Sequence, residues 1–134
     1  MDAELTDRHF RILPAGKSAL AEATAALAAG ETVAIPTETV YGLAADATNG
    51  EAVARIFESK QRPSFNPLIC HVTGIEMAES FAEFDPLSRR LADQFWPGAL
   101  TLVLPLKEGN AIHPLVTAGL DTVAVRAPKG FGAE

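Results

Sequence analysis

Three stretches of the sequence carry polar side chains where the packing of a core does not require them. The first, residues 36–43, places two threonines and a glutamate directly after a short apolar stretch. Ligands of α/β proteins commonly bind at strand ends, and Gly42 would allow a ligand to approach the backbone closely. An ordinary strand-to-helix turn rich in capping residues explains the pattern about equally well.

The second stretch combines two cations with a proline-rich loop. Lys60 and Arg62 flank one residue at the end of a predicted helix, and Asn66 lies between two prolines. Taken alone, such cations are more simply explained as complementing the helix dipole. His71 shares one face of the following strand with Ile69, because side chains alternate along a strand. A histidine on a short apolar strand is more often a core residue than a ligand.

The third stretch, residues 95–105, is mostly scaffold, with Phe95 and Trp96 predicted to anchor packing. Further on, Arg126 ends an apolar strand. Its guanidinium is suited to bind a carboxylate through two parallel hydrogen bonds, or it simply ends the strand at the surface. The sequence contains no metal-ligand spacing, Walker A loop, dinucleotide fingerprint or nucleophile elbow. Any ATP chemistry is therefore neither of the P-loop nor of the Rossmann type.

The elements that must position these residues alternate between helix and strand, which predicts an α/β fold. Strands are predicted at residues 32–35, 68–72, 101–104 and 122–125. An alanine-rich helix at 19–29 should end at Gly30, a typical C-cap position. A capping box formed by Thr48 and Glu51 should begin a second helix. Its inward face is predicted to carry Val53, Ile56 and Phe57.

Two more helices are predicted between the second and third strands. Apolar residues at 75, 77, 81 and 84 indicate the first of them. Asp85 and Pro86 form a good start for the next, as N-cap and first-turn residue. Its inward stripe is predicted to be Leu87, Leu91 and Phe95.

Composition limits the class of protein. The 134 residues suit one domain, and 48% hydrophobic residues allow a sizeable core. The formal net charge of −6 disfavours nucleic-acid binding over the whole surface, so an anion site needs a local cluster of cations. One cysteine excludes an internal disulfide and suits the cytoplasm. No signal-peptide core or membrane-spanning run is present, so we expect no membrane association.

Taken together and in order, these segments resemble the YrdC family. The resemblance rests on residues 36–43, on Lys60-x-Arg62-Pro63 with Asn66 and His71, on residues 95–98 and 101–103, and on residues 123–126. It implies a twisted mixed α/β sheet with flanking helices around an open, positively lined cavity. Because family members continue beyond the last strand, we expect residues 1–134 to form a single YrdC-like domain that lacks its last elements.

The resemblance also implies an activity. The family forms threonylcarbamoyl-AMP and pyrophosphate from L-threonine, bicarbonate and ATP, normally with Mg²⁺, and a downstream transferase passes the product to tRNA. By resemblance, Lys60 and Arg62 are the catalytic phosphate-binding residues, and Asn66 and Thr122 also contact ATP. The resemblance assigns threonine binding to the following residues: Thr39, His71 and Arg126.

Two alternatives come from other functional classes. One is a non-catalytic module that binds double-stranded RNA or tRNA, against which the negative charge argues mildly. The other is a carbamoyl-handling domain of a larger enzyme, as in hydrogenase-maturation carbamoyltransferases. No zinc-finger or acylphosphatase-like segment precedes Gly30 to support it.

Overall fold

A computed structural model describes residues 12–36, 41–61 and 66–129. Helices and strands are interspersed through these residues, which agrees with the predicted α/β class. In the described part of the chain, no helix is long and apolar enough to cross a membrane. The elements, in chain order, are α1 (Lys17–Ala28), β1 (Val33–Pro36), β2 (Tyr41–Ala44), α2 (Gly50–Lys60), β3 (Ile69–His71), α3 (Ile75–Ala78), α4 (Pro86–Phe95), β4 (Thr101–Pro105) and β5 (Thr122–Arg126).

β1 and β2 form an antiparallel pair in which Ala34 lies opposite Leu43 and Pro36 lies opposite Tyr41. The strand β2 corrects the alternative reading of residues 36–43 as a strand-to-helix turn. Residues 41–44 pair with β1 instead, which satisfies backbone groups that a turn would leave to solvent.

The second sheet has three described strands in the order β3-β5-β4. β3 runs parallel to β5, and β4 runs antiparallel to it, so the sheet is mixed as expected. Val125 of β5 lies opposite Cys70 of β3 and Leu102 of β4. Since side chains alternate along a strand, this register divides the three strands into two faces of different character.

The hydrophobic core lies on one face of this sheet. Cys70, Leu102 and Val125 are buried there against α2, which contributes Val53 and Phe57. The predicted inward face of α2 is thereby confirmed. Burial of this apolar surface is the main force that holds α2 and the sheet together.

The two longest core helices begin at side-chain caps. The side chain of Asn49 accepts hydrogen bonds from the backbone N–H groups of Glu51, at 3.1 Å, and Ala52, at 3.2 Å. The predicted capping box at Thr48 is therefore wrong, because the Thr48 hydroxyl instead donates to Asp46 Oδ1 at 2.7 Å. The predicted Asp85 cap of α4 is confirmed, and its carboxylate accepts from the backbone N–H of Ser88.

Two predicted apolar stripes are only partly correct. In α4, Leu87 and Phe95 are exposed, and the buried residues are Ser88 and Ala92. These small side chains allow the helix to approach the core closely, which turns the larger ones aside. The helix predicted from residue 75 onward stops at Ala78, and the chain continues as a turn.

The end of α1 is tied to α2. Gly30 follows the C-cap residue Ala29 with φ of 86°, which confirms its predicted role, because glycine adopts this left-handed conformation without strain. The Nη1 atom of Arg55 in α2 donates to the Gly30 carbonyl at 2.9 Å. This contact links the two helices across 25 residues of sequence.

Candidate functional site on the open face of the sheet

One face of the three-stranded sheet lies opposite the core, and we call it the open face. Its side chains alternate with the buried ones, and they are all exposed or half-buried. The side chains of the open face therefore do not belong to the hydrophobic core. It consists of Ile69 and His71 from β3, Thr122, Ala124 and Arg126 from β5, and Thr101, Val103 and Pro105 from β4.

A polar row crosses one end of the open face. Arg126 lies in register with His71 on one side and with Thr101 on the other. The Arg126 Nε donates a hydrogen bond to Thr101 Oγ1 at 2.9 Å. His71 is exposed, so the interpretation of this residue as a core histidine is wrong. Two residues predicted to contact threonine thus lie side by side.

The other end of the open face carries Thr122, the first residue of β5, opposite Pro105. Because β3 runs parallel to β5, the residues that lead into β3, including Asn66, approach the same end of the sheet. Thr122 and Arg126 are four residues apart on one strand, a separation of about 13 Å. Thr122 and Asn66 therefore lie toward the end of the sheet opposite His71 and Arg126.

Lys60 is the last residue of α2, and its side chain is exposed. Gln61 follows in the left-handed conformation with φ of 52° and ends the helix. The prediction of a cation at a helix C-terminus is confirmed for Lys60. Arg62 and Thr39 lie outside the described residues, and their roles stay predictions.

Thr101 is a member of the polar row that sequence reasoning did not single out as a site residue. Its signal is weak in sequence, because a threonine at the start of an apolar strand is common. Only the register of β4 against β5 brings it to the side chain of Arg126, 25 residues away.

Comparison with known proteins places the chain in a family. Residues 25–131 match the Sua5/YciO/YrdC family model, whose description is "Telomere recombination". The chain belongs to the Sua5/YciO/YrdC family. It is 53% identical over 110 residues to a threonylcarbamoyl-AMP synthase of Bacillus subtilis, with 81% of this chain and 32% of that protein covered. It is 54% identical over 100 residues to the Pyrococcus abyssi enzyme of that name, covering 74% of this chain and 29% of that protein.

A solved member of the family has a similar fold. The crystal structure of P. abyssi Sua5 complexed with L-threonine matches with a TM-score of 0.80 and 47% identity. The match covers 90% of this chain and 34% of that one. This chain therefore spans about a third of the length of these relatives. The α/β class predicted from the sequence is confirmed as the Sua5/YrdC fold.

In the described part of the chain, Cys70 is the cysteine next to the open face, and its thiol is buried. Burial raises the pKa of the Cys70 thiol to about 11, so this residue, next to His71 but on the core side of the sheet, stays protonated at neutral pH. Within residues 12–36, 41–61 and 66–129, no group of three or more His, Cys, Asp or Glu side chains could hold a metal ion.

Proposed function

We propose that the open face is part of the substrate site of an L-threonylcarbamoyladenylate synthase. The observation that carries this proposal is the pairing of His71 with Arg126 across parallel strands, in a chain about half identical to enzymes of that name. A guanidinium beside an imidazole on the sheet face opposite the core suits an amino-acid substrate with one carboxylate. P. abyssi Sua5, the structural relative, binds L-threonine.

The reaction has two bond-making steps. The threonine nitrogen attacks the carbon of bicarbonate, and loss of water leaves N-carboxy-threonine. A carbamate oxygen then attacks the α-phosphorus of ATP, and the bond from that phosphorus to the bridging oxygen breaks. The products are threonylcarbamoyl-AMP and pyrophosphate. Such a displacement asks the protein mainly to position the reactants and stabilise charge.

The threonine end of the site is the polar row. In this proposal Arg126 binds the threonine carboxylate through its planar fork of N–H donors, a geometry that a lysine ammonium does not offer. His71 lies beside it, and Thr39 supplies a further contact. A site built around a carboxylate discriminates against an amine or alcohol that lacks one, because such a molecule cannot form the charge-assisted pair with the guanidinium.

The nucleotide end of the site begins at Thr122 and Asn66. Lys60 and Arg62 bind the phosphates and stabilise the pyrophosphate that leaves. The separation of about 13 Å along β5 leaves room for the threonine backbone, its carbamate and the α-phosphate between the two ends. The two substrates then meet over the middle of the open face, where Ala124 is small enough to leave space.

The wider setting follows from this activity. The nucleotide substrate is the Mg²⁺ complex of ATP, and the ion supplies charge neutralisation on the phosphates. The product is passed to a transferase that modifies tRNA, which places the protein in the cytoplasm. Residues 1–134 act as one YrdC-like domain in this proposal.

Release of pyrophosphate tests the proposal. The chain is supplied with ATP, Mg²⁺, bicarbonate and L-threonine, and parallel reactions omit threonine or replace it with L-serine. We expect release that depends on L-threonine. Release at the same rate without threonine would contradict the synthase reaction. Binding of tRNA that weakens steeply with salt, in a chain that releases no pyrophosphate, would favour the RNA-binding alternative instead.

A further inference from the structure

The middle of the open face is apolar, in contrast to the polar row beside it. Ile69 of β3 and Val103 of β4 both lie in register with Ala124 of β5. We call these three residues the apolar row. Ile69 and Val103 are 46% and 68% exposed, so both present apolar surface to solvent. Two branched aliphatic side chains therefore stand on either side of a single methyl group.

The apolar row forms a notch of defined size. Neighbouring strands of a sheet are about 4.8 Å apart, which places the backbones at Ile69 and Val103 about 10 Å from each other. The methyl group of Ala124 is the floor of this notch, and the two larger side chains are its walls. Because β-branched side chains have few rotamers, the walls are held in defined positions. The space between them suits one small aliphatic group.

The apolar row lies one step along the strands from the polar row. Ala124 and Arg126 are two residues apart on β5, a separation of about 7 Å. A small ligand whose carboxylate lies at the polar row therefore places its next carbon atoms over the apolar row. L-Threonine is such a molecule, because its carboxylate and its methyl group are at opposite ends of a short carbon chain.

We propose that the apolar row binds the methyl group of L-threonine and thereby selects threonine over serine. The proposal rests on the proposed function, since it takes L-threonine bound at the polar row as the ligand. The carbamate and the phosphates that meet over the middle of the face are charged and are not stabilised by aliphatic side chains. The methyl group is stabilised there, because it leaves water for an apolar surface. It is also the group that distinguishes L-threonine from L-serine.

Substitutions in the apolar row test the proposal through the choice of amino acid. Val103→Ala and Ile69→Ala each remove a wall, and both side chains are exposed, so the core is left intact. Each should lower the ratio of kcat/KM for L-threonine to kcat/KM for L-serine about fourfold, the factor expected for burial of one methyl group. The kcat/KM for L-serine should stay within about twofold, because serine has no methyl group to bury. Leu20→Ala, at an aliphatic residue of α1 that is 38% exposed, is the control and should leave the ratio unchanged.

A second comparison separates the apolar character of the row from its shape. Val103→Thr keeps the branched shape but places a hydroxyl in the wall, and it should lower the threonine-to-serine ratio as Val103→Ala does. The analogue L-2-aminobutyrate keeps the methyl group of threonine without the hydroxyl. Its kcat/KM should therefore fall in Val103→Ala by the same factor as the value for L-threonine.

Nuclear magnetic resonance tests the contact without turnover. The methyl groups of valine and isoleucine are labelled with ¹³C, and nuclear Overhauser effects are recorded to the methyl group of bound L-threonine. We expect effects to Val103 and Ile69, whose signals are assigned by their loss in the alanine variants.

These results separate failure of this inference from failure of the proposed function. Pyrophosphate release that depends on L-threonine, with an unchanged threonine-to-serine ratio in both alanine variants, would overturn the methyl-binding role and leave the proposed function standing. Absence of Overhauser effects from bound L-threonine to Val103 and Ile69 would overturn it as well. A chain that shows these effects but releases no pyrophosphate would support the methyl-binding role and contradict the synthase reaction.

Discussion

The two faces of the three-stranded sheet differ although they are built from alternate residues of the same strands. Along β5, Val123 and Val125 are 2% and 0% exposed, whereas Thr122, Ala124 and Arg126 between them are half-buried. The first set packs against α2, α3 and α4. The second set carries polar groups that packing does not explain. Neighbouring residues of one strand therefore have different tasks: the buried ones stabilise the fold, and the ones between them are available to bind a substrate.

A similar contrast is visible at β4. Leu102 and Leu104 are buried in the core, and Val103 between them is 68% exposed. Val103 and the exposed Ile69 lie on either side of Ala124, so the middle of the open face is lined by apolar side chains. The proposed site gives this face a use, because the two substrates meet above it.

The largest effect should come from matched substitutions of valine on the two faces. Val125→Ala removes two buried methyl groups beneath the site, and we expect it to lower the free energy of unfolding by about 2 kcal/mol. Val103→Ala removes the same groups from the open face and should change stability by less than about 0.5 kcal/mol. Urea unfolding followed by circular dichroism measures both. Equal losses would contradict the division into two faces.

Removal of the guanidinium should give the next largest effect. Arg126→Ala should raise the KM for L-threonine about 30-fold, because it deletes a charge-assisted pair with the carboxylate. The KM for ATP should change about twofold or less, since the nucleotide end of the face is untouched. Arg126→Lys should recover only part of the loss, because an ammonium lacks the fork.

Arg90→Ala, on the exposed side of α4, is the control for a lost surface arginine. Kinetics at saturating concentrations of the other substrate measure each KM. Equal increases for both substrates in Arg126→Ala would argue against a carboxylate clamp.

Loss of the cation at the end of α2 should have a smaller effect, and it should affect the kinetics with ATP rather than those with L-threonine. Lys60→Ala should lower kcat/KM for ATP about tenfold, because one charge-assisted contact to the phosphates is lost. Its effect on the free energy of unfolding should stay below about 1 kcal/mol, the usual size of a helix-dipole interaction. Lys17→Ala, at the exposed start of α1, is the control. Unchanged ATP kinetics in Lys60→Ala would remove Lys60 from the phosphate site.

The smallest effect at neutral pH is the contribution of Cys70 ionisation, on the buried face, to the free energy of unfolding. Its pKa is raised from 9.0 to about 11 by burial, so the folded chain binds more protons than the unfolded chain between these values. Stability should therefore be unaffected by this thiol below pH 9 and should fall as pH rises from about 9 to 11. Comparison with Cys70→Ala isolates this part of the decline, since lysine and tyrosine also titrate there. A decline of the same size in Cys70→Ala would show that the thiol is not responsible.

The sequence predicted the α/β class, the inward face of α2 and the Asp85 cap, because each depends on residues close together in the chain. The candidate site residues were assigned from the ordered segments that resemble the YrdC family. The local sequence could not show which residue is the N-cap of α2, because Thr48 and Asn49 both favour this position. The side-chain contacts decide between them, because Asn49 accepts from the backbone of α2 whereas the Thr48 hydroxyl donates to Asp46.

The sequence could not provide the register in which the strands of the sheet pair. Whether His71 packs in the core or faces a ligand depends on which neighbour lies beside it in the sheet, and that neighbour is 55 residues away. The contact of Thr101 with Arg126 has the same origin. The apolar stripe of α4 was misplaced for a related reason. Periodicity identified a helix with apolar residues, but the small side chains Ser88 and Ala92 determine which side approaches the core.

The central claim is that the two ends of the open face bind different substrates, and backbone amide NMR tests it most directly. L-threonine and ATP are titrated separately into ¹⁵N-labelled protein. The account predicts that L-threonine shifts the amide signals of His71, Thr101 and Arg126 first, and that ATP shifts those of Lys60, Asn66 and Thr122 first. Overlapping responses to both ligands at one end of the face, or responses confined to other elements, would contradict it.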